Sequence, residues 1–214
     1  MRTPKLVVMV SIIFVLAGCS SGASSSPTEG GATTEQTASP TRSSEQSAAP
    51  DTSSDPRRYE PSSAEGPAKN VPIPKMPAAA KEKSTDGASA FAEYYFELIN
   101  YSIETNDSEP LKKHTLRECY VCATTIIDPT DQAKTSGKWQ VGGRHHVKIF
   151  DSYMPDKKTA IVSVRFEIDS ATFYTKANDP DSEKKKRPSQ VAALGMEFDD
   201  SWSVYLIDLD DPKS

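Results

Sequence analysis

The chain reads as an α+β protein: N-terminal helices, one of them long and amphipathic, packed on a curved antiparallel sheet of about four strands in a cone-like arrangement. Three observations predict this. Residues 78–105 carry apolar side chains at helical spacing. Beyond Gly142-Gly143 the apolar period falls to two. All the helical segments precede all the strands, an order that fits helices segregated on one face of an antiparallel sheet.

In the long helix, Ala88, Phe91, Ala92, Tyr95, Leu98, Ile99 and Ser102 share one face, and Glu93, Glu97, Asn100 and Glu104 lie opposite. Pro77 suits its first turn. Gly87 costs about 1 kcal/mol against Ala in a helix interior, so it marks close packing or a kink. Asn106-Asp107-Ser108 closes this helix and caps the next, with Pro110 in the following first turn. Residues 111–116 read as a short helix, and residues 118–127 as a third that stops at Asp128-Pro129.

A first strand runs from Val147 to Tyr153, and Pro155-Asp156-Lys157-Lys158 turns the chain. In the second, Val162, Val164, Phe166 and Ile168 alternate with Ser163, Arg165, Glu167 and Asp169, so one face is polar. Residues 171–175 extend it past a bulge. Residues 191–198 and 202–209 form the last pair, joined by a hairpin turn at Asp199-Asp200-Ser201.

Ahead of this domain (residues 71–214) stand a leader (residues 1–18) and a Ser/Thr/Pro-rich tether (residues 19–70). Arg2 and Lys5 precede an apolar run too short to span a bilayer. Leu16-Ala17-Gly18-Cys19 then matches a lipobox, in which small residues admit a signal peptidase and the Cys19 thiol takes a diacylglyceryl group. The tether has almost no large apolar residue and cannot offset its ordering entropy by burial. These features place the protein on the extracytoplasmic face of the cell membrane.

With Cys19 acylated, Cys119 and Cys122 remain. A structural disulfide is the default for an exported pair, with a redox-active CxxC and a zinc site as the alternatives. Net charge is −5, and Lys184-Lys185-Lys186-Arg187 is the one basic run, so nucleic acid is not an expected partner. That run is either a solvated hairpin loop or a contact for anionic lipid or wall polymer.

The chain has no Gly-rich phosphate loop, no G-x-S-x-G and no H-E-x-x-H. His145 and His146 are adjacent on a strand and face opposite sides, so only one of them can enter a pocket as a general base. Glu167 and Asp169 share a strand face and are acidic candidates. Asp208, Asp210 and Asp211 lack the spaced loop of a calcium site. No catalytic residue, cofactor or metal is therefore assigned.

The element order resembles the nuclear transport factor 2-like cone, which implies a helix across a curved sheet and a pocket at the open end. Met76-Pro77, Ala80-Lys81-Glu82-Lys83, Gly87-Ala88, Phe91, Tyr94-Tyr95, Asn100-Tyr101, Thr105, Asp107, Pro110-Leu111 and the Cys119/Cys122 pair resemble an uncharacterised lipoprotein family of high-GC Gram-positive bacteria. That likeness implies location and fold, without an activity. Asn106 stands where glycine is expected, a mild change because Asn tolerates left-handed backbone.

The expected function is a lipid-anchored surface protein with a non-enzymatic binding or accessory domain, its partners the membrane and an envelope protein or small ligand. One alternative is a small-molecule pocket with isomerase, dehydratase or hydrolase chemistry. The other is thiol redox through the cysteine pair.

Overall fold

The structure is a computed structural model, described here for residues 58–209. The leader, Cys19, the tether up to residue 57 and the acidic pair Asp210-Asp211 lie outside the described residues.

Helix α1 spans Thr85–Thr105 and begins later than the apolar period suggests. Ser84 is extended and its Oγ accepts the Gly87 N–H at 3.0 Å, an N-cap that outcompetes Pro77 as a starting point. Pro77 instead opens a separate 3-10 turn at Ala79–Lys81. Gly87 is there for close approach: a Cβ on it would fall 2.0 Å from the Glu82 carbonyl oxygen. At the other end Asn106 adopts φ 55°, and its side-chain amide donates to the Lys138 carbonyl at 2.6 Å. The cap residue thus ties the helix end to the chain entering the first strand.

The predicted stripe is buried, Phe91, Tyr95, Leu98 and Ile99 among it. Asn100 corrects the sequence reading, because it is buried at 5 % exposure rather than solvated.

Helix α2 (Glu109–Lys112) is shorter than expected. Residues 114–116 leave it to run parallel to the last strand, with Leu116 N–H to Val204 O at 2.8 Å and Val204 N–H to His114 O at 2.9 Å. This contact covers a strand edge that would otherwise stand open.

Pro129 does not end the third helix. Helix α3 (Tyr120–Cys122) passes into a π turn (Ala123–Ile127) and then α4 (Asp128–Ser136). Pro129 lies in the first turn of α4, where its fixed φ and missing N–H are tolerated, and the wider π turn absorbs the break.

The strands form two antiparallel sheets rather than one of about four strands. The four-stranded sheet has the order β2 (His145–Tyr153), β3 (Thr159–Ile168), β6 (Arg187–Phe198), β7 (Trp202–Leu209). The three-stranded sheet has the order β1 (Trp139–Gly142), β4 (Ala171–Lys176), β5 (Asp179–Lys184). Residues 171–176 are therefore no extension of β3. The chain switches sheets at Asp169-Ser170, where the Ser170 carbonyl accepts the Gly143 N–H at 2.9 Å. Gly142 has φ 81° and a Cβ there would stand 2.3 Å from that same oxygen, so the crossing requires glycine.

The main core lies between α1 and the four-stranded sheet, where Phe91, Tyr95 and Leu98 meet Val162, Leu194, Val204 and Trp202. The Trp202 indole N–H donates to the Glu82 carbonyl at 2.9 Å. Trp139 stacks on Tyr174 across β1 and β4, with centroids 5.4 Å apart.

Residues 58–70, which composition groups with the tether, are part of this body. Glu60 and Lys69 exchange backbone hydrogen bonds at 3.0 and 2.9 Å, closing a small hairpin. Its tip docks: the Trp139 indole donates to the Ser63 carbonyl at 2.9 Å, and the Asn178 N–H donates to the Ala64 carbonyl at 2.8 Å. Low hydropathy misleads here because the docking rests on backbone carbonyls, which every residue type carries.

Candidate functional site

A cavity of about 760 Å³ opens beside the second half of α1. Its walls come from α1, the π turn and α4, the near ends of β2, β3 and β6, and the three-stranded sheet. The inner lining is largely apolar, with Phe96, Ile99 and Ile103 from α1 facing Phe166 and Ile168 from β3. The volume falls within the roughly 300–1,000 Å³ of small-molecule sites.

His145 lies in this wall. Its imidazole stacks near-parallel to Phe166 with centroids 6.2 Å apart and rests against Phe96 at 6.4 Å. Burial pushes its pKa down to about 4, with the nearby Arg187 charge adding to the effect, so the ring is neutral at pH 7. Its Nδ1 is buried with no hydrogen-bond partner among the described residues.

Asn100 holds the histidine in place. Its Oδ1 accepts the His145 N–H at 2.8 Å and its Nδ2 donates to the His145 carbonyl at 3.0 Å. The amide side chain acts as one rung of a ladder between α1 and the start of β2. Sequence periodicity misses this role. The available signal is that Asn is a poor helix-interior residue and sits one step past Ile99, at the edge of the apolar stripe.

Of the other sequence candidates, Asp169 lines the same cavity as His145, and the rest scatter. His146 faces outward and its Nε2 meets Asp169 Oδ2 at 2.7 Å on the surface. Glu167 pairs with Lys186 at 2.8 Å. No carboxylate hydrogen-bonds to the His145 ring among the described residues, so that imidazole has no acid–base partner. His114 packs edge-on against Phe91 and Tyr94, both at 5.6 Å, away from the cavity. Burial lowers its pKa as well.

The basic run is at the mouth. Lys184, Lys185 and Arg187 line the cavity opening together with Lys138, while Lys186 turns to Glu167. Lys138 and Lys184 stand over the Phe173 ring with Nζ 5.6 and 5.1 Å from its centroid.

Cys119 and Cys122 lie at disulfide distance with Cα atoms 5.2 Å apart, and both are buried, at 1 % and 0 % exposure. No set of three metal-ligating side chains converges among the described residues.

A family model described as a family of unknown function (DUF6318) matches residues 57–205, and the chain belongs to that family. No curated protein and no solved structure matches the chain.

Proposed function

We propose that this is a lipid-anchored envelope protein whose domain binds a small molecule in the cavity beside α1, without turning it over. Cys19 carries the anchor, the tether sets the domain off from the membrane, and the two sheets with α1 make a cone of the nuclear transport factor 2-like kind. The observation that carries the reading is the apolar cavity walled by Phe96, Ile99 and Phe166, with a neutral imidazole to which no carboxylate hydrogen-bonds among the described residues: Asp169, the carboxylate in the lining, is bonded to His146. Such a lining favours transfer of apolar surface out of water, and the imidazole offers a polar point for orientation within it.

Two observations oppose the alternatives. A general base for isomerase or dehydratase chemistry works best with a pKa near the working pH, and the His145 ring lies well below it. A redox cysteine needs a partly exposed sulfur, and both sulfurs belong to buried residues. The pair serves as a structural disulfide that fixes the turn ahead of the π helix.

The test is a titration with N-phenyl-1-naphthylamine, whose emission rises in dry apolar sites. The full chain should bind it saturably at one site. Ala133→Trp, which adds a ring to the α4 wall of the cavity, should remove the signal while leaving the unfolding midpoint nearly unchanged. Unchanged binding in that variant would place the dye elsewhere and defeat the reading. For the anchor, Cys19→Ser should abolish acyl labelling and membrane retention, and full membrane partition of that variant would refute it.

A further inference from the structure

The mouth of the cavity carries a charge that its apolar interior does not explain. The whole chain has 30 acidic and 25 basic side chains and a net charge of −5. Yet the cavity is lined by four cationic side chains, Lys138, Lys184, Lys185 and Arg187, against one carboxylate, Asp169. That carboxylate is already bonded to His146 at 2.7 Å. None of the four cations forms an ion pair among the described residues, whereas Lys186, within the same run, does.

Two of the four cations, Lys184 and Arg187, are fixed by backbone pairing, while Lys185 lies in the turn between them. Lys184 is in register with Ala171 on β4, and Arg187 with Ile168 on β3, so they straddle the point where the chain switches sheets. Ile168 is in turn in register with His145 on β2, which places His145, Ile168 and Arg187 in one row across three strands. Directly opposed residues share a sheet face, and all three line the cavity. The row runs from neutral aromatic to aliphatic to cationic. Lys184 is further steadied over Phe173, with Lys138 above the same ring. Like charges gathered at one opening repel, and an anion placed among them relieves that repulsion and gains charge-assisted hydrogen bonds.

We infer that the cavity takes an amphiphile with a single anionic head, a carboxylate or phosphate, held at the mouth by Lys184, Lys185 and Arg187, with its hydrocarbon body against Phe96, Ile99 and Phe166. The inference rests on the cavity reading above and adds the chemical class of the ligand. The amphiphile enters as a single molecule from water; adsorption of the domain to an anionic bilayer is the rival explanation of the same charges.

The experiment is calorimetric titration of the full chain carrying Cys19→Ser with dodecanoate, dodecanol and dodecyltrimethylammonium, the two ions below their micelle concentrations and the alcohol below its solubility limit. Dodecanoate should bind roughly tenfold more tightly than dodecanol, the size of one charge-assisted contact, and dodecyltrimethylammonium more weakly than either. Lys184→Gln with Lys185→Gln and Arg187→Gln should level the three affinities without losing dodecanol. Equal binding of dodecanoate and dodecanol to the unaltered mouth would overturn the inference and leave the cavity reading standing. If none of the three binds, the cavity reading fails and the inference with it. Phosphatidylglycerol vesicles form the last arm. Binding to them without saturable dodecanoate binding would assign the charges to a membrane surface and overturn the inference.

Discussion

His114 and His145 rest against opposite stretches of α1, and each leaves a buried Nδ1 without a partner among the described residues. Their surroundings differ. His114 is wedged between the edges of Phe91 and Tyr94, in the stretch where α1 meets Trp202 and the solid core. His145 faces a cavity, and its backbone, not its ring, is what Asn100 secures. The same side chain fills space in one half of the molecule and borders empty space in the other. The first nitrogen belongs to a half-buried ring packed against Phe91 and Tyr94 beside the core. The second stands in a wall built around a void, the site proposed for the ligand.

The comparison breaks most visibly under truncation. Trp202→Ala removes a fully buried ring and its bond to the Glu82 carbonyl, and should cost about 3–5 kcal/mol in urea unfolding. Ile103→Ala, at the cavity wall, should cost about 1 kcal/mol because its side chain already lacks neighbours on one side. Equal losses would mean that both halves are packed alike.

The next effect is on pH dependence. The folded pKa of His145 is depressed from 6.5 to about 4. The unfolded chain therefore binds more protons between these values, and the stability that His145 contributes is present above pH 6.5 and lost as pH falls towards 4. The loss amounts to at most about 3 kcal/mol. His114 acts in the same direction, so unfolding midpoints at pH 7.5 and 5 should be compared between the natural chain and His145→Asn. The variant should lose less on acidification; an identical loss would remove His145 from the account.

A smaller effect concerns the docked hairpin. A chain beginning at Pro72 strips partners from the Trp139 indole and the Asn178 amide and should unfold about 2 kcal/mol more easily than one beginning at residue 52. Coincident unfolding curves would show the hairpin to be energetically idle. A comparably small effect is expected of Cys119→Ala with Cys122→Ala, about 1–2 kcal/mol, since the closed loop is very short. Thiol labelling of the unreduced, denatured chain should find neither cysteine free.

Much of the packed half is legible from the sequence, because the helical spacing of Phe91, Tyr95 and Leu98 and the alternation of Val162, Val164 and Phe166 record burial directly. The turn at Asp199-Asp200-Ser201 does join β6 to β7. The hollow half is hardly legible. Strand β5, Asp179–Lys184, is exposed throughout and carries no apolar period, since its partner on β4 supplies the ladder. Asn100 reads as a solvated position because its burial is compensated by two backbone hydrogen bonds, which no hydropathy pattern registers. The basic run is visible as charge, but its place at a cavity mouth depends on the sheet switch at Asp169-Ser170, a long-range event.

The most direct test of the whole account is to follow the imidazole resonances of the three histidines by NMR while dodecanoate is added to the full chain carrying Cys19→Ser. The His145 resonances should shift and saturate with a single binding curve, while those of His114, half-buried against Phe91 and Tyr94 away from the cavity, stay where they are. Movement of both rings alike, or of neither, would contradict the claim that the void beside His145 is the binding site.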